Sequence, residues 1–334
     1  MANSTNTAKI SIEEGQQKSW LSKLKNPNII LLIAGIIFIV IVSLAVPQFL
    51  SYRNITSIIV QVSSTGLMAI GLTFVIITGG IDLSLPTVMA LSAILGCSVM
   101  AATQNILLGV IVTLAVGAAV GCFNGFSISK LKMVPMIVTL AVATMALGVS
   151  NWFTEARSIS GMPESFSNIF AGDVFGIFPM PALILIVVAI IMHLLLSKTI
   201  FGRQLFQVGV KESTAKVNGV KTSKIIFLVY VIAGLMAGLA GILAAARLNS
   251  AGPSMGPQTM FMDIVAAVVI GGASVAGGKG TILGTIIGSI LMGIISNVMN
   301  LLNVDYFVTL VIKGSIIILV TYFDVLRNKM SESR

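Results

Sequence analysis

The sequence has little charge, few acids, and almost no histidine or cysteine. Asp, Glu, Lys and Arg together make up 9% of its 334 residues, against about 25% in a soluble domain. That scarcity excludes a water-soluble globular chain. One histidine, His193, and 11 acidic residues leave almost no material for a hydrolytic triad, a zinc site or a catalytic carboxylate pair. No catalytic residue, metal or cofactor is therefore expected. Cys97 and Cys122 sit in apolar segments without paired or metal-ligand spacing, so they read as packing residues and are silent on redox compartment. A nucleotide-binding loop is lacking as well. The run Ala276-Gly277-Gly278-Lys279-Gly280-Thr281 looks superficially like one, but Gly280 stands where Ser or Thr must follow the lysine, and the first glycine is misplaced. Any energy from ATP must come from another subunit. The net charge of +9 does not point to nucleic acid, because the cations fall between apolar stretches rather than along one solvated face.

What is present is apolar surface, 56% of residues with a mean hydropathy of +1.04. This composition implies an all-α polytopic membrane protein. The sparse charges mark the ends of its spans, at 29–46, 57–78, 87–102, 106–128, 135–153, 180–196, 225–246, 281–302 and 306–323. A further apolar stretch, 261–270, is too short to cross unaided and reads as a broken or re-entrant segment, making about ten spans in all. With both termini cytoplasmic, 16 cations fall inside and three outside (Arg53, Arg157 and Arg247), while Lys313 stays within the last span. Shifting the register by one span would reverse this asymmetry. The chain thus divides into a cytoplasmic tail over 1–28 with a short surface helix near Trp20, a membrane domain over 29–324, and a cytoplasmic tail over 325–334. No cleaved signal peptide is expected, since the first apolar run is long and more spans follow.

The longest polar interval inside the apolar chain is 197–224, with Lys198, Arg203, Lys211, Lys216, Lys221 and Lys224 against one acid, Glu212. Its charge places it inside. Within it, 211–218 reads as about two turns of helix stopped by Asn218-Gly219 as a left-handed cap. Two glycine-rich breaks stand out, Gly79-Gly80-Ile81-Asp82-Leu83-Ser84-Leu85-Pro86 and 271–280. Irregular backbone at membrane depth is tolerated only against protein or a water-filled cavity. Asp82 reads either as a functional carboxylate or, with Ser84, as a cap for the following helix, with Pro86 in its first turn. Gly79-Gly80 and Gly271-Gly272 precede Gly96 and Gly288 at the same interval, as an internal repeat would. Glycines at four-residue spacing (Gly117, Gly121, Gly125), and Gly234, Gly238 and Gly241 along the span at 225–246, allow close helix approach. Ser63, Thr65, Asn124, Thr139, Thr144, Asn151 and Asn297 offer a neutral lining for a hydroxyl-rich solute, or bond helix to helix at under about 1 kcal/mol each.

Thr78-Gly79-Gly80-Ile81-Asp82-Leu83-Ser84 resembles the signature of the ribose-type permeases of bacterial ATP-binding-cassette sugar importers. Gly202-Arg203 with Gly209, Glu212, Ala215 and Gly219-Val220 is similar to that family's coupling loop, which docks on the ATPase. Phe123-Asn124-Gly125 before Pro135 and Thr139-Leu140, and Gly271-Gly272-Ala273-Ser274 through Gly277-Gly278, are similar too, so the likeness spans about residues 50–325. The resemblance implies a multi-pass permease subunit in the bacterial inner membrane that moves a monosaccharide without being an enzyme itself. It implies a second permease subunit (a copy or a paralogue), an ATPase on the inside, an extracytoplasmic sugar-binding protein, surrounding lipid, and no nucleic acid. It further implies a substrate pathway near Gly79, Gly80, Asp82, Ser84, Asn124, Thr139, Gly271, Gly272 and Ser274. One departure is Leu85-Pro86, where the family usually has Val-Gly; it stiffens the start of the next helix. Rival solutes are a sugar derivative of autoinducer type, a nucleoside or a branched-chain amino acid. An ion-driven carrier is disfavoured because only Lys313 is clearly an ionisable group inside a span.

Overall fold

The computed structural model describes residues 27–174, 176, 178–257 and 259–332. The reading of a surface helix near Trp20 lies outside them. Thirteen helices follow in order: α1 Pro27–Ala45, α2 Tyr52–Ile77, α3 Leu85–Thr103, α4 Ile106–Ser129, α5 Pro135–Thr154, α6 Glu164–Ala171, α7 Met180–Lys198, α8 Ile200–Val210, α9 Glu212–Val217, α10 Thr222–Leu248, α11 Met260–Ile270, α12 Ile282–Leu301 and α13 Tyr306–Glu332. Among the described residues, eight stretches are long and apolar enough to cross a membrane, the shortest being Pro253–Ile270, where a 3-10 turn precedes α11. Shorter apolar stretches, Gly35–Ala45 and Tyr306–Leu319, lie in α1 and α13. The architecture is all-α. A two-stranded ribbon, Asp173–Val174 with Phe178–Pro179, is a minor addition between α6 and α7.

The core forms where helices are apolar all round and small enough to touch. From Leu67 to Ile77 every residue of α2 is buried. It packs against α10, which in turn packs on α3 and α4. The two glycine rows of the sequence prove to be largely one seam. Gly117 and Gly121 of α4 meet Gly234 of α10, a Cβ on Gly121 would stand 2.5 Å from the Tyr230 carbonyl oxygen, and one on Gly125 2.7 Å from that of Phe227. Gly238 abuts the same helix at Thr113, whereas Gly241 faces Met89 and Ala93 of α3. Close backbone approach of this kind is what drives helix association where lipid offers no hydrophobic gain. The outward faces of α4, α5 and α7 expose Leu107, Ile111, Ile137, Ile186 and Ile190, as lipid-facing helices do.

Some expected boundaries move for local reasons. The interval between the spans at 135–153 and 180–196 contains α6, whose buried Phe166 sits over Cys97, Met100, Ala245 and Ala246. Polar interval 197–224 contains α8 as well as α9, because Thr199 Oγ1 accepts the Gly202 N–H and caps it. The last helix runs on to Glu332 rather than ending near 324, since no Gly or Pro follows Gly314. The first begins at Pro27, so helix already occupies the last two positions of the stretch read as tail.

The seam yields a paired test. Gly121→Ala should lower the thermal midpoint of the solubilised protein by several degrees, as overpacking of about 1–3 kcal/mol would. Gly148→Ala, where a Cβ meets open space, should leave it unchanged; equal effects would mean that the seam is not tight.

Candidate functional site: a glycine junction and a polar cavity

The helix ends at one pole of the bundle are built alike. Gly79 has φ 78° and Gly272 φ 86°. Gly80 N–H bonds Val75 O at 3.1 Å, and Ala273 N–H bonds Val268 O at 3.1 Å. Each is a Schellman closure with its left-handed residue at glycine. A third closes α9, where Gly219 has φ 79° and Val220 N–H bonds Ala215 O at 3.0 Å. The left-handed residue there is Gly219 and not Asn218, whose φ is −78°. The two breaks therefore align with Gly79 on Gly272, one residue off the register that the repeat in the sequence implies.

These ends meet at Gly209. Gly278 N–H donates to Ile77 O at 2.9 Å. A Cβ on Gly209 would overlap that same Ile77 carbonyl and stand 2.7 Å from Gly278 N. The second break, holding Gly271, Gly272 and Ser274, is thereby stapled to the first, and α8 lies across both.

Beside the junction sits a buried polar cluster. Asp82, 1% exposed, accepts hydrogen bonds from Ser84 N–H at 2.9 Å and Ser84 Oγ at 2.5 Å. Asn124 Nδ2 donates to Ser84 Oγ at 3.1 Å, and Thr139 Oγ1 to Ile81 O at 3.3 Å. Neither Asp82 nor Ser84 caps the first turn of α3 with a side chain; Asp82 folds the loop back on itself as an Asx-turn. It pins residues 81–84 to α4 and α5. Tyr230 fills the space over Gly80, where a Cβ would stand 2.6 Å from its hydroxyl.

On the other side lies Glu212, the first residue of α9. Its Oε1 is 2.9 Å from Lys216 Nζ and 3.3 Å from Lys132 Nζ, and it accepts from Thr222 Oγ1 at 3.0 Å. One carboxylate thus ties α9 to the α4–α5 turn and to the start of α10. A cavity of about 200 Å³ separates it from Gly79-Gly80 and Tyr230. The Lys216 ammonium, with Thr222 and Lys132, holds the Glu212 carboxyl below its ordinary 4.5 against a weaker opposing effect of burial.

The larger opening is at the opposite pole. Helix α11 has 11 residues, about 16 Å of rise, roughly half the hydrocarbon thickness. Its far end therefore stops short, and a cavity of about 470 Å³ lies there between α2, α11, α12 and α13. Gln61, Thr65, Asp263, Ser296, Asn300 and Lys313 line it. Lys313 Nζ is 2.9 Å from both carboxylate oxygens of Asp263. The sequence sets Asp263 at the start of the short stretch 261–270 and leaves Lys313 alone in the last span; their 50-residue separation hides the pair. The only signal is that both stand in or beside apolar spans.

Of the residues proposed to line a pathway, Gly79, Gly80, Asp82, Ser84, Asn124 and Thr139 come together, but away from this cavity. Of the polar set, only Thr65 reaches it. Asn297 instead exchanges side-chain bonds with Asn54 at 2.7 and 3.0 Å. Ser63, Thr144 and Asn151 bond carbonyls of their own helices.

A bundle of membrane-length helices with paired breaks at one pole and a polar cavity at the other defines a membrane translocation subunit. The chain belongs to the family described as branched-chain amino acid transport system / permease component, whose model matches residues 54–321. It is 38% identical over 289 residues to the ribose import permease protein RbsC of Bacillus subtilis (strain 168), covering 86% of this chain and 89% of that one. It is 35% identical over 300 residues to the D-allose transport system permease protein AlsC of Escherichia coli (strain K12), covering 89% and 91%. With the L-arabinose ABC transporter permease protein AraH of Azospirillum brasilense the identity is 32% over 298 residues, covering 87% of each chain. No solved structure matches the chain significantly. The chain is a multi-pass permease subunit of the bacterial inner membrane, not an enzyme.

Glu212 gives this pole a pH dependence of definite sign. A carboxyl with a depressed folded pKa stabilises at pH above its ordinary value, and that stability is lost as pH falls through the depressed one. The wild type should exceed Glu212→Gln in thermal midpoint at neutral pH, and the gap should close on acidification below the ordinary 4.5. A gap that stays constant down to about pH 3 would show that the carboxylate charge is not what joins these elements.

Proposed function

We propose that the chain carries a monosaccharide of the ribose, allose or arabinose class across the inner membrane, as one of two permease subunits in an ATP-driven importer. Ten crossings with both termini in the cytoplasm go with this reading, which makes the pole of Glu212 and Gly209 the inner one. A separate ATPase docks on α8 and α9, and an extracytoplasmic binding protein delivers sugar to the opposite pole. The sugar class rests on the relatives, named for ribose, allose and L-arabinose. The coupling mechanism rests on one observation: a displacement of α9 acts on Lys132 and Thr222 through Glu212, while α8 acts on both breaks through Gly209.

Alternating access follows from that linkage. Each break is a rigid Schellman turn fixed to its neighbour, so movement of α8 and α9 shifts the inner ends of α2, α10 and α12 together. Residues Gly202, Arg203, Gly209, Glu212, Ala215, Gly219 and Val220 are the coupling elements in this reading. Gly79, Gly80, Asp82, Ser84, Asn124, Thr139, Gly271, Gly272 and Ser274 form the inner end of the pathway, the region that opens last. The family's description in terms of branched-chain amino acids favours a second reading, in which leucine or its analogues are the cargo.

Membrane vesicles containing the chain, its ATPase and its binding protein provide the test. Labelled ribose, allose or arabinose should accumulate only with ATP, and excess leucine should not compete. Gly219→Val, strained by φ 79°, should reduce uptake by about tenfold or more while the protein stays in the membrane at wild-type level. Undiminished uptake in that variant would remove the coupling assignment; competition by leucine would favour the second reading.

A further inference from the structure

The breaks and coupling helices leave the outer cavity unexplained. An ion pair within the bundle is expensive, because each charge is taken out of water and the attraction seldom returns the full cost. Here Asp263 and Lys313 project from α11 and α13 with side chains 17% and 14% exposed. Nothing in the packing requires charge at this place, since a matched apolar pair is commonly as stable. An intramembrane ionisable pair facing a cavity is a functional feature by default.

The donors and acceptors around it are uncommitted in a specific way. Lys313 Nζ lies 2.9 Å from both Asp263 oxygens and donates to Oδ2, while Oδ1 is itself buried beside the ammonium. Thr65 Oγ1 donates to the carbonyls of Gln61 and Val62 and so keeps its lone pairs free. The side chains of Gln61, Ser296 and Asn300 line the same space. At about 470 Å³, the cavity is of small-molecule size, within the roughly 300–1,000 Å³ of ligand sites.

We infer that the Asp263–Lys313 pair is a binding site for the vicinal hydroxyls of a neutral polyol, occupied after the binding protein releases its sugar and before the inner pole opens. One hydroxyl donates to the Asp263 carboxylate and its neighbour accepts from Lys313, while Gln61, Ser296 and Asn300 bond the others. The pair stays intact and the net charge stays zero, so the sugar exchanges water for protein hydrogen bonds without separating charges. An amino acid fits poorly: its ammonium and carboxylate would have to pull apart a lysine and an aspartate that lie 2.9 Å from each other, and its apolar side chain would desolvate the polar wall.

This inference rests on the sugar reading above, and the experiment separates the two. The double variant Asp263→Leu, Lys313→Met is made in the full complex, because replacing both charges should preserve folding where removing one would strand the other. Vesicle uptake of D-ribose, D-allose and L-arabinose is measured together with thermal midpoint and ATPase activity. The double variant should match the wild type in midpoint, yet lose about tenfold to a hundredfold in sugar uptake, as loss of hydrogen bonds to charged groups predicts. Asp263→Asn, which keeps the shape, should raise the sugar concentration at half-maximal uptake. Wild-type uptake in the double variant overturns the site and leaves the sugar reading standing. A double variant that loses its midpoint along with uptake assigns the pair to folding and also overturns the site. If the wild type carries leucine and none of the three sugars, the sugar reading fails and this inference with it.

Discussion

The last turn of any helix leaves carbonyl oxygens without a partner inside the helix. The structure depends on how two such ends, those of α2 and α11, are closed. Each folds its last turn back through a left-handed glycine. The Ile77 carbonyl that remains is taken by Gly278 N–H from the other break. That bond forms only because position 209, crossing above it, has no side chain. An uncompensated carbonyl in a dry environment costs several kcal/mol, so the two breaks and α8 are obliged to stay together.

This obligation distributes the polar groups into two sets with different work. Around the junction most of the named polar side chains bond to one another or to backbone. Asp82 fastens its own loop, Ser84 receives Asn124, Thr139 reaches Ile81, and Glu212 gathers Lys132, Lys216 and Thr222. At the other pole the shortness of α11 opens space, and the groups around it keep unused hydrogen-bonding capacity. In the proposed mechanism the first set transmits a displacement and the second binds cargo weakly enough to release it.

Much of this was legible in the residues. Charge scarcity gave the membrane class, and the charge-poor intervals held the eight stretches that are long and apolar enough to cross among the described residues. Gly219 announced the end of α9, because a left-handed cap is a local event with a local signature. Gly209 and Glu212, to which we assign coupling, were likewise visible as motif positions. Less visible was why they matter: Gly209 looks like any helical glycine until Ile77 and Gly278 are beside it. Asp82 carried two readings, a functional carboxylate and a cap. The hydrogen bonds it accepts from Ser84 bind the loop to itself in a way that neither reading described. Of the seven groups read as a neutral lining or as helix-to-helix bonds, Ser63, Thr144 and Asn151 bond their own helices and Asn297 bonds Asn54 of another. The sequence does not say which face each occupies.

The sequence by itself determined the membrane class, the breaks and the cap residues, since hydropathy and glycine conformation act over one helix or one turn. Tertiary structure alone decided that the two breaks share a carbonyl, that two glycine rows form one seam, and that Asp263 meets Lys313. Those depend on which faces of distant helices come together. That choice is made by close packing across the bundle, where a difference of one methyl group admits or forbids the contact.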